Sequence, residues 1–259
     1  MEALRDDLRL ALDRVAFAEE LGIVCDPWQE KLLRSGSDRI LLNCCRQSGK
    51  STMSAVLALH RALYYPGSLV LCLAPALRQS QELFSKVITF YRDLGRPVPP
   101  KAEQRLGLEL LIGSRIVTLP GTEKTIRGYS GVSLLVVDEA SRVEDALYYS
   151  IRPMLAVSGG SLVMLSTPYG RRGAFFEEWT EGEGWERYRV PATEVPRIPE
   201  AFLEAERRSM PEWWFAQEFL TEFRETEDQL WTYSMIEGAR ADEIEEYRFE
   251  GDDSLWETA

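Results

Sequence analysis

The chain has 259 residues, 45% of them hydrophobic, and a formal net charge of −12, which allows one large domain or a domain with a small appendage. No apolar run approaches the ~18 residues that a membrane-spanning helix needs, and the N-terminus lacks the basic and apolar regions of a signal peptide. The acidity lies late: residues 200–259 carry 18 acidic and 5 basic side chains, residues 1–199 carry 24 and 25. The body of the chain is therefore near neutral and free to carry a local basic patch. Cys25, Cys44, Cys45 and Cys72 show no metal-ligand spacing and read as reduced thiols of an intracellular protein.

Apolar residues recur at helical intervals over 2–21, and Gly22 ends that helix. Asp26-Pro27 is an N-cap followed by proline at the first helical position, opening a short second helix. Ile40 to Leu42 form the apolar centre of a strand over 39–44. A loop and a helix over 50–64 follow, then an apolar strand over 68–73 and a helix over 75–94. Residues 95–100 form a proline-rich connector, and 106–112 with 116–119 a hairpin. Two more buried strands, 132–137 and 162–165, precede helices over 143–156 and 170–180. A short strand near 187–190 leads to a proline boundary and helix over 200–224. Strands alternating with helices argue for an α/β fold with a mainly parallel sheet covered on both faces.

Arg46-Gln47-Ser48-Gly49-Lys50-Ser51-Thr52 joins the first strand to its helix. That strand–loop–helix order is the context of a phosphate-binding loop, whose N–H groups face the β- and γ-phosphates. Lys50 neutralises phosphate charge there, and the Ser51 hydroxyl ligates Mg²⁺. The usual Walker A glycine five places before Gly49 is replaced by Cys44. About 90 residues downstream, Leu134 to Val137 end in Asp138-Glu139. At the carboxyl edge of a parallel sheet Asp138 reaches the metal, and Glu139 orients and deprotonates an attacking water. Ser166-Thr167 end the next strand and are placed to sense the γ-phosphate. Arg46, inside the loop, reaches the γ-phosphate in cis. Arg127 and Arg142 flank the acidic strand as alternative charge-stabilising fingers. Trp28-Gln29 offer an aromatic face and an amide to adenine, or else a core tryptophan beside a surface glutamine.

Together these motifs resemble the ATPase domain of the large terminase subunit, the DNA-packaging motor of tailed bacteriophages. The resemblance rests on Trp28-Gln29, on Arg46 to Ser51 with Cys45 where a smaller residue is usual, and on Ile126-Arg127-Gly128. It continues through Val136 to Ala140 and through Ser166-Thr167-Pro168-Tyr169-Gly170, in order, over residues 20–224. It implies a P-loop NTPase of the RecA-like, additional-strand, catalytic-glutamate type with ATP and Mg²⁺ as cofactors. The expected organisation is a core over 1–195, a helical lid over 196–224 and an acidic tail over 225–259. It also implies nucleotide contacts from Trp28, Gln29 and Cys45 through Thr52, a trans finger from Arg127 or alternatively Arg142, and coupling through Ser166 and Thr167.

The resemblance further implies ATP-driven translocation of double-stranded DNA into a procapsid, as a homo-oligomeric ring on a portal in the host cytoplasm, with a small terminase subunit as partner and no membrane. Complete members carry a C-terminal nuclease, for which the 35 residues after the last aromatic helix leave no room, so the chain reads as a motor domain or a short motor subunit. A helicase-like remodelling ATPase and a nucleotide-dependent assembly module with little turnover are the rival readings.

Overall fold

The computed structural model describes residues 2–120, 126, 128–225, 235, 238 and 239. Helices α1 (Glu2–Leu12), α2 (Arg14–Glu20) and α3 (Pro27–Arg34) precede the sheet. Asp13 divides the first expected helix in two, because its side chain accepts the Val15 N–H at 2.9 Å and caps a new helix. The strands are β1 (Arg39–Cys44), β2 (Leu69–Ala74), β3 (Pro100–Gln104), β4 (Gly107–Leu110), β5 (Arg115–Pro120), β6 (Val132–Asp138), β7 (Ser161–Ser166) and β8 (Glu186–Val190). They form one sheet in the order β3-β4-β5-β2-β6-β7-β1-β8. Neighbours among β5, β2, β6, β7, β1 and β8 pair in parallel, while β4 runs against both β3 and β5.

Strand β7 lies between β1 and β6, with Asn43 opposite Ser166 and Asp138 opposite Leu165. The carboxyl ends of all three strands thus reach one edge together.

Alternation along the strands assigns the two faces. Ile40, Leu42, Val70, Cys72, Val136 and Leu165 join a core with α2, α3, α4 (Lys50–Tyr64) and α5 (Leu77–Asp93). Leu41, Leu71, Leu73, Leu135, Val137 and Met164 join another beneath α6 (Asp145–Ile151) and α7 (Ala174–Thr180). Each fully buried leucine contributes about 1.5–3 kcal/mol relative to exposure. Because both faces are covered, β1, β2, β6 and β7 read as continuous apolar runs.

The remaining departures from expectation have local causes. Strand β3 begins at the last residue of the expected connector and runs on through 101–104, where no element is expected. It is an outer strand bearing Lys101 and Glu103, charges that protect an edge and hide the strand pattern. Gly170 and Gly173, at φ 73° and 82°, delay α7 to Ala174. The helix expected over 143–156 ends at Ile151 and continues as a 3₁₀ turn over Arg152–Leu155, where Pro153 cannot donate. Pro211 likewise divides the last expected helix into α8 (Glu200–Ser209) and α9 (Glu212–Glu218). Leu203 of α8 and Phe215 of α9 enter the core on the α4 side, within a compact unit that ends at Arg224.

Candidate functional site

The loop after β1 is built by withdrawing some backbone groups and freeing others. The Cys45 N–H donates to the Val190 carbonyl at 2.9 Å and prolongs the sheet, and the Arg46 N–H donates to the Glu218 carbonyl at 3.2 Å. Gln47 and Gly49 then turn the chain at φ 60° and 92°, and α4 begins at Lys50. The N–H groups of residues 47 to 51 make no hydrogen bond among the described residues. Five consecutive free donors at the start of a 15-residue helix form a nest for a polyanion.

The Ser48 carbonyl of the loop is clamped. Arg197 donates to the Ser48 carbonyl at 2.9 Å and pairs with Asp26 at 2.6 Å. Gln29 donates to the same carbonyl at 3.4 Å and accepts the Asp26 N–H at 2.9 Å. A Cβ at position 49 would stand 2.8 Å from the movable amide nitrogen of Gln29, so it is chiefly the φ of 92° that calls for glycine there.

Across the loop, Lys50 Nζ lies 3.2 Å from Glu139 Oε1 and donates to Thr167 Oγ1 at 3.2 Å. Ser51 Oγ donates to Asp138 Oδ2 at 2.9 Å, and the Glu139 N–H donates to Asp138 Oδ1 at 2.9 Å. Glu139 sits in left-handed geometry, φ 52° and ψ 43°, a conformation uncommon for a side chain of this kind. Burial pushes the Asp138 carboxyl above its usual range, with the neighbouring Glu139 charge adding to the effect; Lys50 and Ser51 oppose it. A buried carboxylate beside a hydroxyl is a set of hard oxygen donors, and a divalent cation there would reverse that shift. The residues present therefore fit Mg²⁺.

The cleft holds about 870 Å³ and is lined by Gln29, Arg46, Lys50, Glu139, Thr167 and Arg197 among others, a volume suited to a nucleotide-sized ligand. Arg142 also lines it, stacked 4.0 Å over Tyr169. The Arg46 side chain pairs with the buried Glu218 carboxylate of α9, so it is held at the cleft rim in this state. Thr52 and Gln47 also line the cleft, while Ser48 is wholly buried and is not among the residues that line it.

Three expectations are corrected. Trp28 is 8% exposed and packs in the core, because position N2 of α3 faces the sheet; it offers no aromatic face to a base. Cys45 is also buried and its N–H is spent on Val190, so it contributes nothing to the loop's free donors. Of the hydroxyl pair only Thr167 faces the cleft. Ser166 is buried and accepts the Ser141 N–H at 3.2 Å, while the Ser141 hydroxyl donates to the Thr167 carbonyl at 2.7 Å. Arg127 lies outside the described residues. Sequence reasoning missed Arg197, Glu218 and Ser141. Arg197 sits in a proline-flanked stretch that reads only as a boundary, and the other two look like ordinary helix and turn polar residues.

A parallel sheet with one strand inserted between the phosphate-loop strand and the acidic strand, and a lysine bridging the two ends, defines a P-loop NTPase of the additional-strand class. No protein-family model matches the sequence. The large terminase subunits of Thermus phage G20c and Thermus virus P23-45 are each 29% identical over 173 residues, an alignment covering 60% of this chain and 36% of theirs. The chain therefore matches about a third of the length of these relatives. The large terminase ATPase domain of Thermus phage P74-26 superposes with TM-score 0.71 at 23% identity, covering 80% of this chain and 97% of that domain. The large terminase of bacteriophage D6E in complex with ADP superposes with TM-score 0.65 at 13% identity, covering 77% of this chain and 54% of that one. The chain is similar in sequence to phage large terminase subunits over part of their length and carries the fold of their ATPase domain.

Proposed function

We propose that the chain binds and hydrolyses ATP and that hydrolysis drives translocation of double-stranded DNA in a phage packaging motor. The observation that supports this most is Lys50 between Glu139 and Thr167, opposite five free loop N–H groups. The relatives' names supply the packaging context, and the ADP complex of the D6E protein supports a nucleotide in the cleft.

In this reading the loop amides of residues 47 to 51 and Lys50 grip the phosphates. Ser51 and Asp138 hold Mg²⁺, which when bound neutralises charge on the β- and γ-phosphates. Glu139 orients a water and accepts its proton, a role open to it once a phosphate takes over its contact with Lys50. Arg46 moves from Glu218 to the terminal phosphate. Thr167 senses that phosphate, and its neighbour Ser166 passes the change to the segment after β6 through Ser141. Residues 196–224 act as a lid, and Arg127 is the finger offered to a neighbouring subunit in a ring assembled on a portal, with a small terminase subunit as partner, in the host cytoplasm.

Glu139→Gln tests the assignment. The amide keeps the shape and loses the base, so nucleotide binding should persist while turnover falls ~10²-fold or more. Turnover equal to that of the unaltered chain would remove Glu139 from its role. Tight binding with no turnover in either protein, even with double-stranded DNA, would favour the assembly-module reading instead.

A further inference from the structure

We propose that Arg197 is a positioning residue of the phosphate loop, fixing the direction of the Gly49 N–H by holding the Ser48 carbonyl. This rests on the nucleotide reading above and assigns a role to a residue outside every motif in the sequence.

The Ser48–Gly49 peptide is planar and trans, so its carbonyl and its N–H point in opposite directions. Whatever fixes one fixes the other. Arg197 Nη2 holds the carbonyl at 2.9 Å and Gln29 Nε2 approaches it at 3.4 Å. The N–H is left without an acceptor among the described residues. Gly49 at φ 92° has no intrinsic preference that would hold this orientation, so the flanking donors must do it.

Arg197 is suited to this task. Its planar fork binds Asp26 with one nitrogen and the Ser48 carbonyl with the other, and such two-pronged contact fixes direction as well as distance. Asp26 is 7% exposed and caps α3, whose Gln29 returns to the same carbonyl. The clamp thus ties the loop to α3 and to the stretch before α8.

A base-contacting role would make a different prediction, and tripolyphosphate separates the two because it has phosphates and no base. In competition against a fluorescent ADP analogue, Arg197→Ala should weaken ATP and tripolyphosphate by the same factor, about tenfold for one oriented hydrogen bond, or ~1.4 kcal/mol. Arg197→Met, which keeps the apolar stem, should do the same and serves if the alanine variant does not fold. Arg197→Lys should recover part of the loss for both ligands, since an ammonium still donates to the Ser48 carbonyl.

Weakened ATP binding with unchanged tripolyphosphate binding would make Arg197 a base or ribose contact and overturn the proposal. Unchanged affinity for both ligands would reduce it to a tie between α3 and the 191–198 stretch, and also overturn it. Failure of the unaltered chain to bind either ligand would instead overturn the nucleotide reading itself.

Discussion

Ser51 and Asp138, 87 residues apart in sequence, meet with the serine hydroxyl donating to the carboxylate across 2.9 Å. This contact holds the two groups where a cation would replace the shared proton. Removing either should abolish magnesium-dependent ATP turnover by ~10²-fold or more. Binding of ADP in the presence of a chelator should persist in both Ser51→Ala and Asp138→Ala. Because both act through one ion, the double variant should be no worse than Asp138→Ala alone. Additive losses in steady-state turnover would show that they act separately.

The contact between Arg46 and Glu218 is lopsided. The arginine side chain is 61% exposed, while that of the glutamate is 5% exposed. Arg46→Ala leaves a buried carboxylate with less compensation, whereas Glu218→Gln leaves only a solvated guanidinium. Fully buried pairs lose 3–5 kcal/mol on such a break, and the exposure of Arg46 reduces that to about 2 kcal/mol here. Urea unfolding without nucleotide should therefore show Arg46→Ala as the more destabilised variant, with Glu218→Gln costing under ~1 kcal/mol. The opposite ranking would mean that the carboxylate has other support.

Much of this was legible before the fold was known, because the loop and the acidic strand are local patterns whose chemistry demands particular residues. Lys50, Ser51, Asp138 and Glu139 converge as their order requires. What stayed hidden is contact between segments far apart in sequence. Nothing about Arg197 in Pro196-Arg197-Ile198 announces that it will clasp a carbonyl 149 residues earlier. Trp28 misled for the converse reason: an aromatic beside a glutamine looks like a base platform until the orientation of α3 turns it inward. Strand β3 escaped because edge strands carry the polarity of loops.

His60, the one histidine in the chain, supplies a pH dependence remote from the cleft. It packs at 5.2 Å from the Phe17 ring and 5.0 Å from Tyr64, and Nε2 lies 3.1 Å from the Leu10 carbonyl. Burial lowers its pKa to about 4, and the charges of Arg14 and Arg61 push the same way; the backbone carbonyls oppose. The unfolded chain, with a value near 6.5, therefore binds the proton more readily than the folded one. Stability from this group is complete above about pH 6.5 and is lost as pH falls towards 4, up to an order of 3 kcal/mol. His60→Gln should flatten that part of the profile. Thermal unfolding between pH 7 and pH 4.5 checks it, and an equal decline in both proteins would assign the effect to carboxylates.

The cysteines give a chemical readout of the same burial. Cys44, Cys45 and Cys72 are fully buried. Loss of hydration pushes the Cys44 and Cys72 thiols up to about 12 and Cys45 to about 11, with Lys50 opposing at Cys44 and Cys45. The thiolate is the reactive species, so all three should be inert at pH 8 while the fold holds. Cys25 is partly exposed, and its thiol is raised by burial and by nearby Glu30 and Glu19, so it should react slowly. A disulfide reagent should therefore modify at most one thiol in the native chain and all four in guanidinium. Rapid native labelling of Cys44 or Cys45 would show that the strand end feeding the phosphate loop opens to solvent, and the nest it supports would not be preformed.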